Sequence, residues 1–224
     1  MHMGQVVAVV TCDILGSRRY TTEVRKKIDA ALKQTFDVVV QRYRDAIHTP
    51  ISIKVIEGDE FQFVLGRPQK AYEMLIFYRA LTALIGIRPT LTFRASIGVG
   101  EISVVTRKDS YSEDGQAFHL SRHGMDQFSD QKYKGKRRSR ILTGDPALDE
   151  PLDVILMYQD MVEADWTLPQ WEAIRWRLVS PTFEKIAERI GVAYQNVQKR
   201  LKAAHWEEFR RGMAFIEKVL QAHP

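Results

Sequence analysis

The chain opens with Val6–Cys12, a short β-branched apolar run that predicts a buried strand and is broken by Gly16-Ser17. Thr22 then marks a helix start, followed by apolar positions at helical spacing: Ile28, Leu32, Phe36, Val39, Val40 and Tyr43. Ile51–Ile56 and Phe61–Leu65 alternate apolar and polar residues around Glu57-Gly58-Asp59-Glu60, the pattern of a β-hairpin and its turn. A second helix is expected from about Gln69 to Ile85, with Tyr72, Leu75, Ile76, Tyr78 and Leu81 on its apolar side. Thr92–Gly98 reads as a fourth strand that Glu101–Val105 continues or re-pairs. The order strand, helix, strand, strand, helix, strand is that of the split βαβ, or ferredoxin-like, fold.

Further on, the pattern predicts a helix from about Asp114 to Gln131 and a strand over Arg140–Thr143. Pro146 and Pro151 then punctuate the chain, and everything beyond is helical. The expected organisation is an α+β domain over residues 1–150 and a small all-α domain over 151–224. In the second part Thr167 caps a helix with Pro169 in its first turn and Trp171, Ile174 and Leu178 on its apolar side. Thr182–Leu201 has the spacing of a helix-turn-helix: small Ala187 for close crossing, Gly191 in the turn, and Ile186, Ile190, Val192, Val197 and Leu201 facing inward. A bracing helix follows over about His205–Leu220, whose Trp206, Phe209 and Phe215 read as core or dimer-interface residues.

Composition adds limits. Apolar residues make up 45% of 224, enough for a real core. No stretch approaches the roughly 18–20 apolar residues of a membrane span, and no signal-peptide pattern leads the chain, so the expected location is cytoplasmic. The single cysteine, Cys12, excludes an internal disulfide framework or a cysteine zinc cluster, and its apolar strand makes it a core residue. The net charge of +5 permits a nucleic-acid partner without requiring one. Much of the basic charge crowds into Lys132, Lys134, Lys136, Arg137, Arg138 and Arg140, which reads either as a solvated loop or as a phosphate-contacting arm.

The chemistry concentrates where strand order brings distant carboxylates together. In a split βαβ sheet the first and third strands are antiparallel central neighbours, so Asp13, ending the first, lies beside Asp59 and Glu60, opening the third. Carboxylates this close need a proton or a cation to neutralise them. An oxygen-only acidic site suits Mg²⁺ or Mn²⁺ completed by substrate phosphates. Beside it, the backbone N–H groups of Ile14-Leu15-Gly16-Ser17-Arg18-Arg19 form a candidate polyphosphate cradle. Together these parts suit phosphoryl or nucleotidyl transfer. The plainer alternative is an acidic β-turn and a strand-end aspartate.

Asp13-Ile14-Leu15-Gly16-Ser17 resembles the opening motif of class III nucleotide cyclases. Ile56-Glu57-Gly58-Asp59-Glu60-Phe61 resembles both their Ile-Gly-Asp hairpin and the Gly-Gly-Asp-Glu-Phe signature of diguanylate cyclases, and Ser96-Ile97-Gly98-Val99 is similar to the strand that follows. Taken with Gly98–Ile102 and Asp114–His119, these blocks in order resemble the SatD family, a bacterial group with a cyclase-like palm and a small helical C-terminal part. The resemblance spans nearly the whole chain. It implies that Asp13 and Asp59 carry metal, with Glu60 beside them in the catalytic set, and that Gly16, Ser17 and Arg18 lie along the nucleotide phosphates. Lys54 roughly matches a base-reading lysine, one residue out of step. His119 stands where the cyclases have asparagine, and Arg122 is one position from their phosphate-stabilising arginine. Glu57 replaces a glycine past which phosphate runs in diguanylate cyclases. These departures weigh against turnover more than against binding.

The C-terminal pattern resembles the DNA-binding units of bacterial regulators such as sigma-factor region four. That resemblance places Tyr194, Gln195, Asn196, Gln198, Lys199 and Lys202 on the outer face of a recognition helix, where Gln and Asn read adenine edges and Lys meets phosphate. Three functions follow as expectations: a nucleotide-binding, DNA-binding regulator; an active metal-dependent nucleotidyl cyclase or transferase; or an adaptor without a ligand. A homodimer is expected, because cyclase-like sites often complete themselves across a two-fold axis.

Overall fold

The computed structural model describes residues 5–48, 53–57, 60–88, 90–107, 110–130, 137–180 and 182–223, and leaves the side chains at 18, 53–57, 103–107 and 110–114 undescribed. The first strand, β1 (Gln5–Ile14), leads through a 3-10 turn at Ser17–Arg19 to α1 (Thr22–Arg42), capped by Thr21, one residue earlier than the sequence pattern suggests. The hairpin β2 (Ile53–Glu57) and β3 (Glu60–Leu65) follows, then α2 (Ala71–Ala83) and the long β4 (Phe93–Arg107). The strands order as β2-β3-β1-β4, the split βαβ arrangement, and both neighbours of β1 run antiparallel to it. The fold is mixed α+β.

The second half of β4 pairs with β5 (Ser110–Asp114) and its first half, in parallel, with β6 (Ser139–Leu142). Two expectations change here. Residues 110–114, polar and without apolar alternation, form a strand that the pattern did not reveal. The next helix, α3 (Gln116–Gln127), accordingly starts after Asp114.

Alternation along the strands gives the sheet two unlike faces. Ala8, Val10, Cys12, Ile14, Phe61, Phe63, Phe93 and Ala95 join the main core with α1 and α2. There Phe36, Phe61, Phe63, Tyr78 and Phe93 form an aromatic cluster with ring centroids 5.1–5.9 Å apart. Cys12 is fully buried in this layer, and burial pushes its thiol well above the usual range, which makes it a packing residue and not a nucleophile. The opposite face carries Val7, Val9, Val64 and Ile102, and α3 covers it through Ala117 and Phe118.

The C-terminal part consists of α4 (Pro146–Ala164), α5 (Leu168–Arg177), α6 (Phe183–Ile190), α7 (Tyr194–Ala203) and α8 (Trp206–Ala222). The expected change to all-helical structure falls at the start of α4. One continuous apolar cluster runs from the sheet through α2 to Trp166, Trp171, Ile174, Trp206, Phe209 and Ile216. Helix α2 is therefore buried on all sides, not only along one stripe, because α5 and α8 cover the face turned away from the sheet. Trp206 and Phe209 are core residues, whereas Phe215 is exposed.

The basic run also reads differently in three dimensions. Lys132, Lys134 and Lys136 lie outside the described residues. Arg137 and Arg140 are buried and Arg138 is largely so, which overturns both the solvated loop and the phosphate arm for these three. Arg137 and Arg140 pair with Asp153 at 2.7 and 3.1 Å, and Arg138 faces Glu163 at 3.8 Å. Asp160, fully buried, accepts the N–H groups of Arg138 and Ser139 at 2.8 and 3.0 Å and the Ser139 hydroxyl at 2.7 Å. From α2, Arg79 donates to Glu163 (2.7 Å), to Ser139 Oγ (2.9 Å) and to the Arg138 carbonyl (2.8 Å). Burial, the largest influence on Arg79, works to lower its pKa, but Glu163 and Asp160 more than offset it and keep the guanidinium charged. Glu163 is raised, by burial first, with Arg79 only partly countering it. This network ties α2, β6 and α4 together.

Candidate functional site

The antiparallel register sets Asp13 directly opposite Glu60 on β3 and directly opposite Arg94 on β4. Paired residues project from the same side of a sheet, so Glu60, Asp13 and Arg94 make one row across three strands on the face that α3 covers. Arg94 Nη2 donates to Asp13 Oδ2 at 2.5 Å, and its guanidinium lies over the Phe128 ring, 5.5 Å from the centroid. Arg122 on α3 reaches down to Glu60, with Nη1 2.8 Å from Oε1 and 2.9 Å from Oε2.

What aims Arg122 is the depth at which α3 seats. A Cβ built on Gly98 of β4 would lie 2.2 Å from the Ala117 carbonyl oxygen and 2.3 Å from the Ser121 nitrogen, so only glycine admits the helix there. A Cβ on Gly124 would likewise meet Ser96 Oγ at 2.1 Å. Below the charged row, a buried polar line fixes the helix in rotation. Gln62 Nε2 donates to Thr11 Oγ1 (2.8 Å), Thr11 and Ser121 hydroxyls share a 2.7 Å hydrogen bond, and Ser121 donates to the Ser96 carbonyl (3.0 Å).

The other expected site residues are distributed as follows. Gly58 and Asp59 lie outside the described residues, between Glu57 and Glu60, which pair in register. Lys54 stands opposite Gln62, and Arg18 belongs to the 3-10 turn, both known by backbone position only. Gly16, at φ 69°, takes the left-handed conformation that lets the chain turn out of β1. In the expected phosphate cradle, the N–H groups of Leu15 and Arg19 already bond to the carbonyls of Thr92 and Gly16, which removes these two donors from it. His119 and His123 are on the solvent side of α3, and His123 Nε2 is 2.8 Å from Gln127 Nε2. On α3, Arg122 joins the carboxylate row.

Arg94 is the member that sequence reasoning missed. The signal was there, since Arg94 precedes Ser96 by two on a strand and must share its face. A charged residue on an alternating strand, however, reads first as a solvated position. Its presence answers part of the charge problem, because Asp13 and Glu60 are each neutralised by a guanidinium of their own chain. The donor chemistry still suits a hard divalent cation, with carboxylate oxygens on adjacent strands, but an ion at Asp13 must displace Arg94. Among the described residues no three His, Cys, Asp or Glu side chains gather into a metal-binding group.

In the C-terminal part, α6 ends at Gly191 in the left-handed conformation (φ 67°) and α7 begins three residues later. Ile186, Ala187, Val197 and Leu201 are buried, while Ile190 and Val192 are half-buried. Gln195, Asn196, Gln198, Lys199 and Lys202 are exposed on α7. Tyr194 is half-buried, its ring 6.0 Å from that of Phe183 and its hydroxyl accepting from Gln198 at 2.7 Å.

Fold and site together define an α+β domain of split βαβ order whose acidic edge is held by arginines. The chain belongs to the SatD family, whose profile matches residues 6–215. No curated protein matches it. Among solved structures it is similar to the adenylyl cyclase CyaB from P. aeruginosa, at 16% identity over 54% of this chain and 71% of that one, with a TM-score of 0.41. It is similar also to the guanylate cyclase domain of RhGC from Catenaria anguillulae in complex with GTP (14% identity, 53% and 71% covered, TM-score 0.39). A third is an adenylate cyclase structure from Trypanosoma brucei (12% identity, 53% and 67% covered, TM-score 0.40). No helix among the described residues is long and apolar enough to cross a membrane.

Proposed function

We propose that this protein is a nucleotide-responsive, DNA-binding regulator whose palm binds a nucleoside polyphosphate together with Mg²⁺ or Mn²⁺. The observation that carries the reading is the Glu60–Asp13–Arg94 row with Arg122 above it. At rest its charges cancel. Asp13, Asp59 and Glu60 would hold a divalent ion, and Arg94 and Arg122, no longer needed to balance Asp13 and Glu60, would then be ready partners for phosphate. Metal and polyphosphate then bind as a pair, since each stabilises the charges the other exposes. A metal held there would supply positive charge that neutralises phosphate. Gly16, Ser17 and Arg18 lie along the phosphates, and Lys54 and His119 flank the ligand in this reading.

The output is assigned to α7, where exposed Gln195, Asn196, Gln198, Lys199 and Lys202, with Tyr194 at the N-terminal end, supply base-reading and phosphate-contacting groups. The domain division near residues 150–151 is kept as an assignment of roles: palm for ligand, helices for DNA. A homodimer would supply the two-fold symmetry that half-site recognition uses.

The register also supports a second reading, an active nucleotidyl cyclase or transferase, because Asp13 and Glu60 oppose each other and Asp59 precedes Glu60 in the chain. One experiment separates the two. The protein is incubated with each nucleoside triphosphate and Mg²⁺ or Mn²⁺, and in parallel titrated against DNA at several salt concentrations. DNA binding with a steep salt slope that flattens in a Lys199→Ala, Lys202→Ala variant, without turnover, supports the regulator. A cyclic or linear product lost in Asp59→Ala transfers the assignment to the enzyme. Neither activity, with no ligand response, leaves an adaptor.

A further inference from the structure

Helices α4 and α8 pack antiparallel. Gln159 Nε2 donates to the Phe209 carbonyl (3.0 Å), and a Cβ built on Gly212 would meet Gln159 at 2.1 Å and Ile155 at 3.6 Å, so residue numbers rise on one helix as they fall on the other. Both turn the same side toward the core: Leu152, Leu156 and Gln159 on α4, and Trp206, Phe209, Met213, Ile216 and Leu220 on α8. Their other sides therefore form one outward surface. On α4 that surface carries Val154, Tyr158 and Met161, spaced i, i+4, i+7 and 53, 60 and 59% exposed. On α8 it carries Phe215, 47% exposed, which helical phase sets on the flank nearer α4.

Isolated exposed hydrophobics need no explanation, but four large ones on adjoining helices make a patch. With full side-chain areas on the order of 150–250 Å², they leave roughly 400 Å² of apolar surface open. A stable interface takes about 800 Å² from each partner, with an apolar centre and a charged rim, so the patch has the size of such a centre. The rim carries charges of both signs. On its outward side α4 offers Glu150, exposed at one end, and Asp165, exposed just past the other, since Asp153, Asp160 and Glu163 are taken up by arginines of the same chain. The outward side of α8 carries exposed Arg211 and Lys218, with Glu207 and Glu208 exposed in its first turn. A two-fold axis that lays α4 of one copy on α8 of another joins apolar centre to apolar centre and lets Glu150 and Asp165 meet Arg211 and Lys218.

We infer that the α4–α8 surface binds a second copy of this chain, forming a dimer through the helical part and leaving the acidic edge of the sheet open. This stands apart from the nucleotide and DNA assignments and survives the failure of either. Sedimentation equilibrium of the full chain across the micromolar range tests it. The wild type should sediment at twice 25.9 kDa. A Tyr158→Glu, Met161→Glu variant and, independently, Phe215→Glu on the other helix should raise the dissociation constant at least a hundredfold. All three side chains are largely solvent-exposed, so unchanged far-UV circular dichroism reports an intact fold. A wild type monomeric throughout overturns the inference and gives the surface to a different partner. A dimer that persists unchanged in both variants overturns it by placing the contact elsewhere.

Discussion

Replacing Asp160 by alanine is the sharpest probe of how the sheet is joined to the C-terminal helices. The wild-type carboxylate is fully buried and accepts three hydrogen bonds, two of them from the backbone N–H groups of Arg138 and Ser139. Each buried donor left without a partner costs about 1–3 kcal/mol. Arg79 and Arg137 lose a counter-charge at 4.0 and 3.5 Å in the same step, and breaking a buried ion pair costs about 3–5 kcal/mol. These contributions overlap because they share one network, so the total is about 4 kcal/mol, not their sum. For a chain of this length 1 kcal/mol moves Tm by roughly 2–4 °C, which predicts a fall of about 8–16 °C. Differential scanning calorimetry at neutral pH reads it directly. A fall below about 2 °C, the size of an ordinary surface substitution, would refute the buried clamp and return the arginines of residues 137–140 to the role of a solvated basic arm.

Other outcomes follow from the same geometry. Gly98→Ala forces a methyl against backbone atoms of α3 and should cost about 1–3 kcal/mol, lifting Arg122 off Glu60; a lowered Tm together with a weakened nucleotide response checks it. Arg94→Ala removes a half-exposed ion pair, so its stability cost is about 1 kcal/mol at most; with Asp13 released, Mg²⁺ alone should then stabilise the variant more than it stabilises the wild type. Burial raises Glu163, so the folded state holds that proton more tightly than the unfolded chain does. The wild type should accordingly lose stability relative to Glu163→Gln as pH rises from about 4.3, the unperturbed glutamate value, and urea titrations across pH 4–7 would show the stability difference moving steadily in favour of the variant.

How much of this was legible beforehand depended on whether a feature is local. Strand order alone brought Asp13 beside Glu60, because β1 and β3 must be neighbours in a split βαβ sheet, and the register bears that out. Gly191, the Thr167 cap and the inward set Ile186, Val197 and Leu201 were equally readable, since turn chemistry and helical period act within a few residues. Partners across the fold were not. Nothing near Arg137–Arg140 announces that their counter-charges sit on α4 at Asp153, Asp160 and Glu163, at helical spacing that only packing aligns with β6. A run of cations then looks solvated. Arg94 was hidden for a similar reason, and β5 because its polar residues carry no alternation to detect.

The central claim is that the Asp13 edge takes metal and polyphosphate together. Thermal unfolding with Mg²⁺ alone, a nucleoside triphosphate alone, and both, on the wild type and Asp13→Asn, tests it most directly. Ligand at a hundred times its dissociation constant contributes about 2.7 kcal/mol, or roughly 5–10 °C at this chain length. The account predicts a shift of that order with both components, larger than the two separate shifts combined, and its loss in Asp13→Asn. No shift in the wild type with any nucleoside triphosphate and either metal, or an undiminished shift in Asp13→Asn, would contradict it.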